Sequence, residues 1–184
     1  MARILVVVDY QNDFVTGSLG FARAQELEGG IVKKIEEIGE NGGYIICTMD
    51  THKTNYLETQ EGIKLPIEHC IAQTHGWQLV ESIKKAADKY NAKYIVKDTF
   101  PSSELLVKLR GISDVERITG ASKTDTIEFV GVVTDICVIS NVVIAKAALP
   151  EARIIVHSNL CASNNDEMHH MALKVMQSLQ VEVV

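Results

Sequence analysis

The sequence predicts an α/β fold, a Rossmann-like three-layer sandwich in which a mostly parallel sheet of about six strands carries helices on both faces. Short, continuously apolar and β-branched runs recur along the chain, as in strands that are buried on both sides. Segments with helical spacing separate these runs, and such alternation is typical of a parallel sheet with crossover helices. No internal repeat or linker interrupts the pattern, so residues 1–184 are expected to form a single domain.

The first half of the chain predicts two buried strands that are joined by a helix. The strands are the apolar runs at 3–8 and 44–49. Between them, apolar residues recur at helical spacing from about residue 24 to residue 40, and Asn41-Gly42-Gly43 ends the helix. Residues 50–76 show no clear period. Because long irregular loops inside compact domains are usually functional or disordered, and this one is rich in His and Glu, we expect it to be functional.

The second half continues the alternation of helices and strands. Residues 77–90 predict a helix and residues 93–97 a third strand. A short helix is predicted over 102–110, with Ser102 or Ser103 as its N-cap. The elements predicted after it are a helical turn at 113–120, a strand at 127–133, a helix at 135–148 that ends before Pro150, a strand at 153–157, a helix at 164–180 and a final strand in VEVV.

The bulk composition excludes several classes of protein. Hydrophobic residues make up 46% of the chain and charged residues 23%, as in ordinary globular domains. A net charge of −6 argues against a nucleic-acid partner, because phosphate binding needs clustered Lys and Arg. No apolar run approaches the roughly 20 residues of a membrane span. The start MARILVVVDYQNDF becomes acidic too soon for a signal peptide, so a cytoplasmic protein without a membrane partner is expected.

Chemically active side chains follow several of the predicted strands. Asp9 follows the first strand, Asp50 and His52 the second, Lys97 ends the third, and Cys137 comes shortly after the fourth. In a parallel sheet these positions meet at one edge, which is where open α/β sheets bind ligands. An acid, a cation and a thiol at one edge suggest an amide-hydrolysing enzyme with a cysteine nucleophile.

Cys137 is the strongest single candidate among four cysteines that show no CxxC spacing and are expected to be separate thiols. It opens a helix that Thr134 or Asp135 could cap, and a helix N-terminus favours a thiolate and can hold an oxyanion. Asp9 could act as its general base, and Lys97 could stabilise negative charge. Each residue taken alone also has a structural explanation. Cys137 could be an inert core thiol, Asp9 a helix cap and Lys97 an exposed residue at a strand end.

A metal site is predicted in the loop at 50–76. Asp50 and His52 point the same way in an extended segment, and His69 lies across the loop. Asp, His and His could hold zinc, iron or manganese, with Glu58 or Glu61 as a fourth ligand. The alternative is a set of polar loop residues without a metal.

Six motifs in the same order resemble those of one known family. They are VVVDYQNDFVTGSLG, DTH, LPIEHC, KDTFPSSEL, GVVTDICV and SNLCAS. On these segments, which run nearly end to end, the chain resembles the isochorismatase-like cysteine hydrolases, and most of all their nicotinamidase/pyrazinamidase branch.

The resemblance implies a catalytic triad of Asp9, Lys97 and Cys137. It implies a cis peptide before Val133, with the amides of Val133 and Cys137 as the oxyanion hole. Phe14 would line the pocket against the substrate ring. The metal ligands implied by the resemblance are Asp50, His52 and His69, with Glu61 preferred over Glu58 as the fourth.

The chain departs from the nicotinamidase pattern near the predicted metal loop. Leu65 stands where many nicotinamidases carry a tryptophan, and Glu68 is an extra residue between Pro66 and His69. Whether Trp77 replaces the missing tryptophan is left open by the sequence. These differences leave the triad intact and bear on the choice of amide.

The activity implied is hydrolysis of a small-molecule amide, nicotinamide to nicotinate and ammonia, with pyrazinamide as a further substrate and a divalent metal, zinc before iron or manganese, as cofactor. A carbamoyl or ureido compound is the alternative substrate class. A non-catalytic metal- or partner-binding module is the alternative of another kind. Family members are often homo-oligomers, which no feature of this sequence indicates by itself.

Overall fold

The computed structural model describes residues 3–119 and 126–184. Its centre is a six-stranded, fully parallel sheet with the strand order β3-β2-β1-β4-β5-β6. The predicted three-layer α/β fold is therefore confirmed. The strands are β1 (Arg3–Val8), β2 (Tyr44–Asp50), β3 (Lys93–Lys97), β4 (Thr126–Val132), β5 (Arg153–Ala162) and β6 (Glu182–Val183).

Helices cover both faces of this sheet and follow the strands in alternation. A 3₁₀ turn at Tyr56–Glu58 and a π-helical turn at Thr134–Val138 lie between them. No helix in the two described ranges is long and apolar enough to cross a membrane. The helices are α1 (Asn12–Val15), α2 (Ala22–Glu26), α3 (Glu28–Glu40), α4 (Gln60–Lys64), α5 (Glu81–Lys89), α6 (Ser103–Thr119), α7 (Ile139–Ala148) and α8 (Asp166–Ser178).

Two apolar cores separate the sheet from its helical layers. Because side chains alternate along a strand, Leu5 and Val7 face one layer while Ile4 and Val6 face the other. The buried face of α3 packs on the first side, and α7 and α8 pack on the second. Each fully buried aliphatic side chain stabilises the fold by about 1.5–3 kcal/mol relative to leaving it exposed.

The strand order reverses between β1 and β4, which are neighbours although they are far apart in sequence. Val8 lies opposite Gly131 near the carboxyl ends of these two strands. Gly131 has a φ of +116°, and a Cβ there would lie 2.2 Å from the Val8 carbonyl oxygen, so only glycine fits. The close approach brings the segments that follow β1 and β4 side by side at the switch point of the sheet.

Most predicted elements are present, but several boundaries were wrong. The helix predicted from about residue 24 is two helices that share Leu27 as a cap. The helix and turn predicted at 102–110 and 113–120 are one helix, α6, with Ser102 as its N-cap, since the Ser102 hydroxyl accepts from the Leu105 amide at 3.1 Å. Residue 120 of the predicted turn lies outside the described ranges.

The helix predicted at 77–90 begins only at Glu81. The preceding backbone is held instead by the segment after β1, because the Asn12 amide donates to the Gln78 carbonyl and the Val80 amide to the Tyr10 carbonyl. The strand predicted at 153–157 continues to Ala162 past an irregularity in its pairing with β4. The segment 50–76 is also less irregular than expected, since it contains the 3₁₀ turn and α4.

Glu128 is a buried carboxylate on β4, a strand that is otherwise apolar at its centre. Arg3 contacts it at 2.7 Å, His157 at 2.7 Å and Lys34 at 3.5 Å. Burial alone would raise the pKa of Glu128, but the hydrogen bonds from His157 and Arg3 outweigh it and lower that pKa to about 2.

We expect Glu128→Gln to lower the free energy of unfolding at pH 7 by about 3 kcal/mol. This is the free energy that corresponds to a pKa lowered from 4.5 to about 2. Because the folded-state pKa is depressed from an ordinary 4.5, this stabilisation is present above pH 4.5 and is lost as the pH falls toward 2. Urea unfolding from pH 3 to 7 measures both effects.

Glu37→Gln is the matched control, since Glu37 also contacts Arg3 and Lys34 but is 45% exposed. Its effect should stay below about 1 kcal/mol. Equal effects of the two variants would contradict the account of Glu128.

Candidate active site

The predicted catalytic and metal-binding residues meet at the carboxyl edge of the sheet. Asp9 follows β1 directly, in a left-handed backbone conformation (φ 45°) that aspartate tolerates better than most residues. Asp50 ends β2 and lies opposite Lys97, which ends β3. Cys137 lies in the π-helical turn after β4. All four side chains are buried.

Lys97 lies at the centre of this group. Its Nζ is 2.6 Å from Asp9 Oδ2, 3.3 Å from Asp50 Oδ1 and 3.7 Å from Cys137 Sγ. The thiol, the carboxylate and the ammonium that were predicted from three separate strands thus share one small space.

Burial and charge shift the protonation equilibria of these groups in different directions. Burial raises the pKa of Asp9, an effect that the Lys97 charge opposes only in part. Burial and the nearby Asp9 charge raise the pKa of Cys137 well above its usual value. Burial would lower the pKa of Lys97, but the charges of Asp9, Cys137 and Asp50 and the hydrogen bond to Asp9 together outweigh it, so the pKa of Lys97 is raised. The result is a permanent cation beside a carboxylate that is more basic than usual.

Neighbouring side chains hold Asp9 and Asp50 in place. The Thr48 hydroxyl donates to Asp9 Oδ1 at 2.7 Å. Gln11 binds the backbone of Asp50 twice, since its Nε2 donates to the Asp50 carbonyl at 2.8 Å and its Oε1 accepts from the Asp50 amide at 2.7 Å. Thr48 of β2 therefore holds the Asp9 carboxylate, while Gln11, in the segment after β1, holds the Asp50 backbone.

Asp50, His52 and His69 form a buried group whose ligand atoms all lie within 4.8 Å of one another. His52 Nε2 is 2.9 Å from Asp50 Oδ2, and His69 Nε2 is 3.4 Å from the same oxygen. The Nδ1 of His69 lies 2.8 Å from the Ile67 carbonyl, which orients Nε2 toward the group. Such a set could bind a divalent metal ion.

Glu61 rather than Glu58 lies beside this group. Its Oε1 is 3.8 Å from both His52 Nε2 and His69 Nε2, whereas Glu58 is exposed on the 3₁₀ turn. α4 presents Glu61 here because Thr59 caps that helix through its hydroxyl, which accepts from the Gly62 amide at 3.0 Å.

A cavity of about 180 Å³ opens onto the thiol and the metal-ligand group together. Phe14 is in its wall and lies 5.5 Å from the His69 ring, centroid to centroid. Trp77 does not line this cavity and donates instead to the Thr51 hydroxyl at 2.8 Å. The lining residues are Phe14, Leu19, Phe21, Asp50, Glu61, Leu65, His69, Phe100, Val133, Ile136, Cys137 and Asn164.

The turn that carries Cys137 begins at a cis peptide bond between Val132 and Val133, as predicted. Neither Thr134 nor Asp135 caps it through a side chain, contrary to expectation. The Val133 carbonyl instead accepts from the Ile136 and Val138 amides at 3.2 and 3.0 Å. Thr134 uses its hydroxyl elsewhere, in a bond to His169 that is described below.

Asn141 is a supporting residue that the sequence did not reveal. It is fully buried on α7. Its Nδ2 donates to the Cys137 carbonyl at 2.8 Å and to the Phe100 carbonyl at 3.1 Å, and its Oδ1 accepts from the Ser102 amide at 3.0 Å. It therefore ties the turn that carries Cys137 to the segment after Lys97. Its only sequence signal is a polar residue one helical turn after Cys137.

The fold and this site together define an α/β enzyme whose thiol, carboxylate and lysine share a switch-point cavity. The isochorismatase domain family matches residues 3–184, and the chain belongs to that family. A comparison with curated protein sequences gives no match.

Several solved structures share the fold over the whole chain. The nicotinamidase/pyrazinamidase PncA from Bacillus subtilis is 27% identical, with a TM-score of 0.84 and 100% of both chains covered. A Pyrococcus horikoshii pyrazinamidase in complex with zinc is 22% identical, with a TM-score of 0.75 over 100% of this chain and 99% of that one. An N-carbamoylsarcosine amidase from Thermoplasma acidophilum is 22% identical, with a TM-score of 0.75 over 100% and 95%. The family and the first of these relatives support an amide-hydrolysing enzyme.

We expect Asn141→Ala to lower the free energy of unfolding by about 2–4 kcal/mol, because it leaves buried backbone groups without hydrogen-bond partners. Urea denaturation at pH 7 measures the loss. Asn41→Ala is the control, since the exposed Asn41 makes one bond, to the Glu37 carbonyl. A loss of the same size in both variants would contradict the role given to Asn141.

Proposed function

We propose that the protein hydrolyses the carboxamide of nicotinamide, and of pyrazinamide, through a thioester on Cys137. The observation that carries this proposal is the buried contact of Lys97 with Asp9, Asp50 and Cys137 beside the Asp50-His52-His69 group. A binding module would have no need of a basic carboxylate and a cation against a buried thiol.

Asp9 starts the reaction as the general base. It takes the proton of the Cys137 thiol, and the sulfur attacks the amide carbonyl carbon to form a tetrahedral intermediate. The Val133 and Cys137 amides, with the Lys97 ammonium nearby, stabilise the charge that develops on the carbonyl oxygen. Asp9 then gives its proton to the amide nitrogen, the carbon–nitrogen bond breaks, and ammonia leaves an acyl group on the sulfur.

Water completes the cycle on the same residues. Asp9 takes a proton from the water, whose oxygen attacks the thioester carbon. The carbon–sulfur bond breaks to release the acid, and Asp9 returns the proton to the Cys137 sulfur. Lys97 keeps its charge throughout, which agrees with the raised pKa that its carboxylate neighbours give it.

The metal-ligand group fits a divalent ion, for which zinc is our first choice and iron or manganese the alternatives. One carboxylate and two imidazoles are a common zinc set, and all three are buried with their ligand atoms close together. Asp50, His52 and His69 would hold the ion, with Glu61 as the fourth protein ligand. When bound, the ion would supply a Lewis acid that holds the ring nitrogen of the substrate. Phe14 would pack against that ring.

The cavity wall favours an uncharged substrate over a carbamoyl amino acid. Its walls are largely apolar around the thiol, with Leu19, Phe21 and Phe100 among them. No residue of the described ranges that lines the cavity is an arginine or a lysine, so the proposed metal ion would be the one cationic partner for a substrate carboxylate such as that of N-carbamoylsarcosine, and that ion would then be lost to the ring nitrogen. The structural likeness to an N-carbamoylsarcosine amidase keeps that amide as the second candidate.

Ammonia release from nicotinamide, pyrazinamide and N-carbamoylsarcosine, measured side by side, tests the substrate and the nucleophile. We expect turnover of the first two, and a loss of at least about 10³-fold in Cys137→Ala because the acyl acceptor is gone. Cys47→Ala removes a core thiol outside the site and should keep activity. Wild-type kcat in Cys137→Ala would exclude the mechanism, and turnover of the carbamoyl compound alone would establish the second candidate.

Metal content of purified variants tests the ligand set. We expect His52→Ala to lose bound metal by elemental analysis, whereas His75→Ala, which changes an exposed histidine of the same loop, keeps it. Glu61→Gln and Glu58→Gln are a matched pair for the fourth ligand, and only the first should weaken metal affinity, by about 10- to 100-fold. Unchanged metal content in His52→Ala would remove His52 from the site.

A further inference from the structure

A buried histidine outside the cavity contacts the start of the turn that carries Cys137. His169 lies on α8 and is 2% exposed, and its Nδ1 is 2.8 Å from the hydroxyl oxygen of Thr134, which is fully buried. Thr134 is the first residue of the π-helical turn and lies three positions before the thiol. His169 does not line the substrate cavity.

We propose that His169 is a positioning residue for the reaction, which acts through Thr134 to hold the nucleophile turn in its productive geometry. The inference rests on the proposed function, because the turn matters for chemistry only if Cys137 is the nucleophile. Displacing a reacting atom by about 1 Å can cost about 10²-fold in rate, so a single bond at the start of this turn can matter.

Few contacts hold the start of the π-helical turn in place. No side chain caps it, and its first backbone bonds converge on one carbonyl, that of Val133. Asn141 holds its far end through the Cys137 carbonyl. The bond between Thr134 and His169 is the side-chain link from the start of the turn to the outer helical layer.

α8 is itself anchored close to His169. Asn165 caps this helix, since its Oδ1 accepts from the Met168 amide at 3.0 Å. Asp166 pairs with Arg23 of α2 at 3.1 Å. The imidazole is therefore presented from the first turn of a capped helix, to which the exposed ion pair with α2 adds little stability.

The surroundings of His169 suit a neutral ring. Burial lowers its pKa, and the charges of Arg23 and His170 lower it further. A neutral imidazole can meet a hydroxyl without leaving a buried charge unpaired. This agrees with a role in orientation rather than in proton transfer to the substrate.

Two matched pairs of variants test the proposal on the full-length, metal-loaded protein. His169→Asn can present a polar atom at the place of Nδ1, whereas His169→Gln reaches the place of Nε2. Thr134→Ser keeps the hydroxyl, whereas Thr134→Val removes it. We expect His169→Gln and Thr134→Val to lower kcat at least about tenfold with KM within about twofold, whereas His169→Asn and Thr134→Ser should keep most of the wild-type kcat. The double variant His169→Gln/Thr134→Val should be no slower than either single one.

The rate of Cys137 alkylation by iodoacetamide and the thermal midpoint Tm separate positioning from stability alone. We expect the alkylation rate to change in His169→Gln and Thr134→Val. It should stay close to the wild-type rate in His169→Asn and Thr134→Ser. Met171→Ala, which changes an exposed residue on the same helix, should leave both kcat and alkylation unchanged. Variants that lower Tm while kcat and alkylation stay at wild-type values would overturn the proposal, as would additive losses in the double variant. Full activity of Cys137→Ala would instead overturn the proposed function.

Discussion

The buried ammonium of Lys97 is the group on which the rest of the site depends. A lone cation at this depth would cost several kcal/mol to desolvate, and it is tolerated because Asp9 and Asp50 lie within 3.3 Å of it. The same contact makes the three groups interdependent. Removing either carboxylate leaves a buried charge with one partner fewer, a change that typically costs about 3–5 kcal/mol in a buried pair. The contacts of Lys97 with the two carboxylates therefore affect both the stability of the fold and the chemistry proposed for the site.

The parallel sheet makes this arrangement available. Neighbouring parallel strands end at the same edge of the sheet, so Asp9, Asp50 and Lys97 come together although they are far apart in sequence. The glycine at position 131 lets β1 and β4 end side by side, which brings the Cys137 turn to that edge. The long segment after β2 then returns His69 and Glu61 to the same place. Groups of the site thus end or follow β1, β2, β3 and β4, and the strand order brings them together.

Sequence reasoning predicted the strands and the groups at their ends because both leave local patterns. The strand of residues 3–8 is continuously apolar, and Asp9 interrupts it at one end. It could not predict that the helix after Trp77 starts late, because residues 10–12 compete for that backbone from far away in the chain. Glu128, Asn141 and His169 were missed for a related reason. Glu128 and Asn141 are polar residues in apolar stretches and have no period, whereas His169 stands beside the exposed His170 and the sequence does not distinguish the two. The partners of Glu128 and His169 lie 29 to 125 positions away in the chain.

Lys97 lies on β3, which is one of the two edge strands of the described sheet and pairs with β2 alone. Strands at a border generally exchange their amide hydrogens sooner than central ones, because fewer contacts must be broken to release them. The cation of the site is thus attached to an edge strand, while the thiol follows a central strand. The free energy of local opening at this border therefore sets how large a fraction of molecules has an assembled site at any moment.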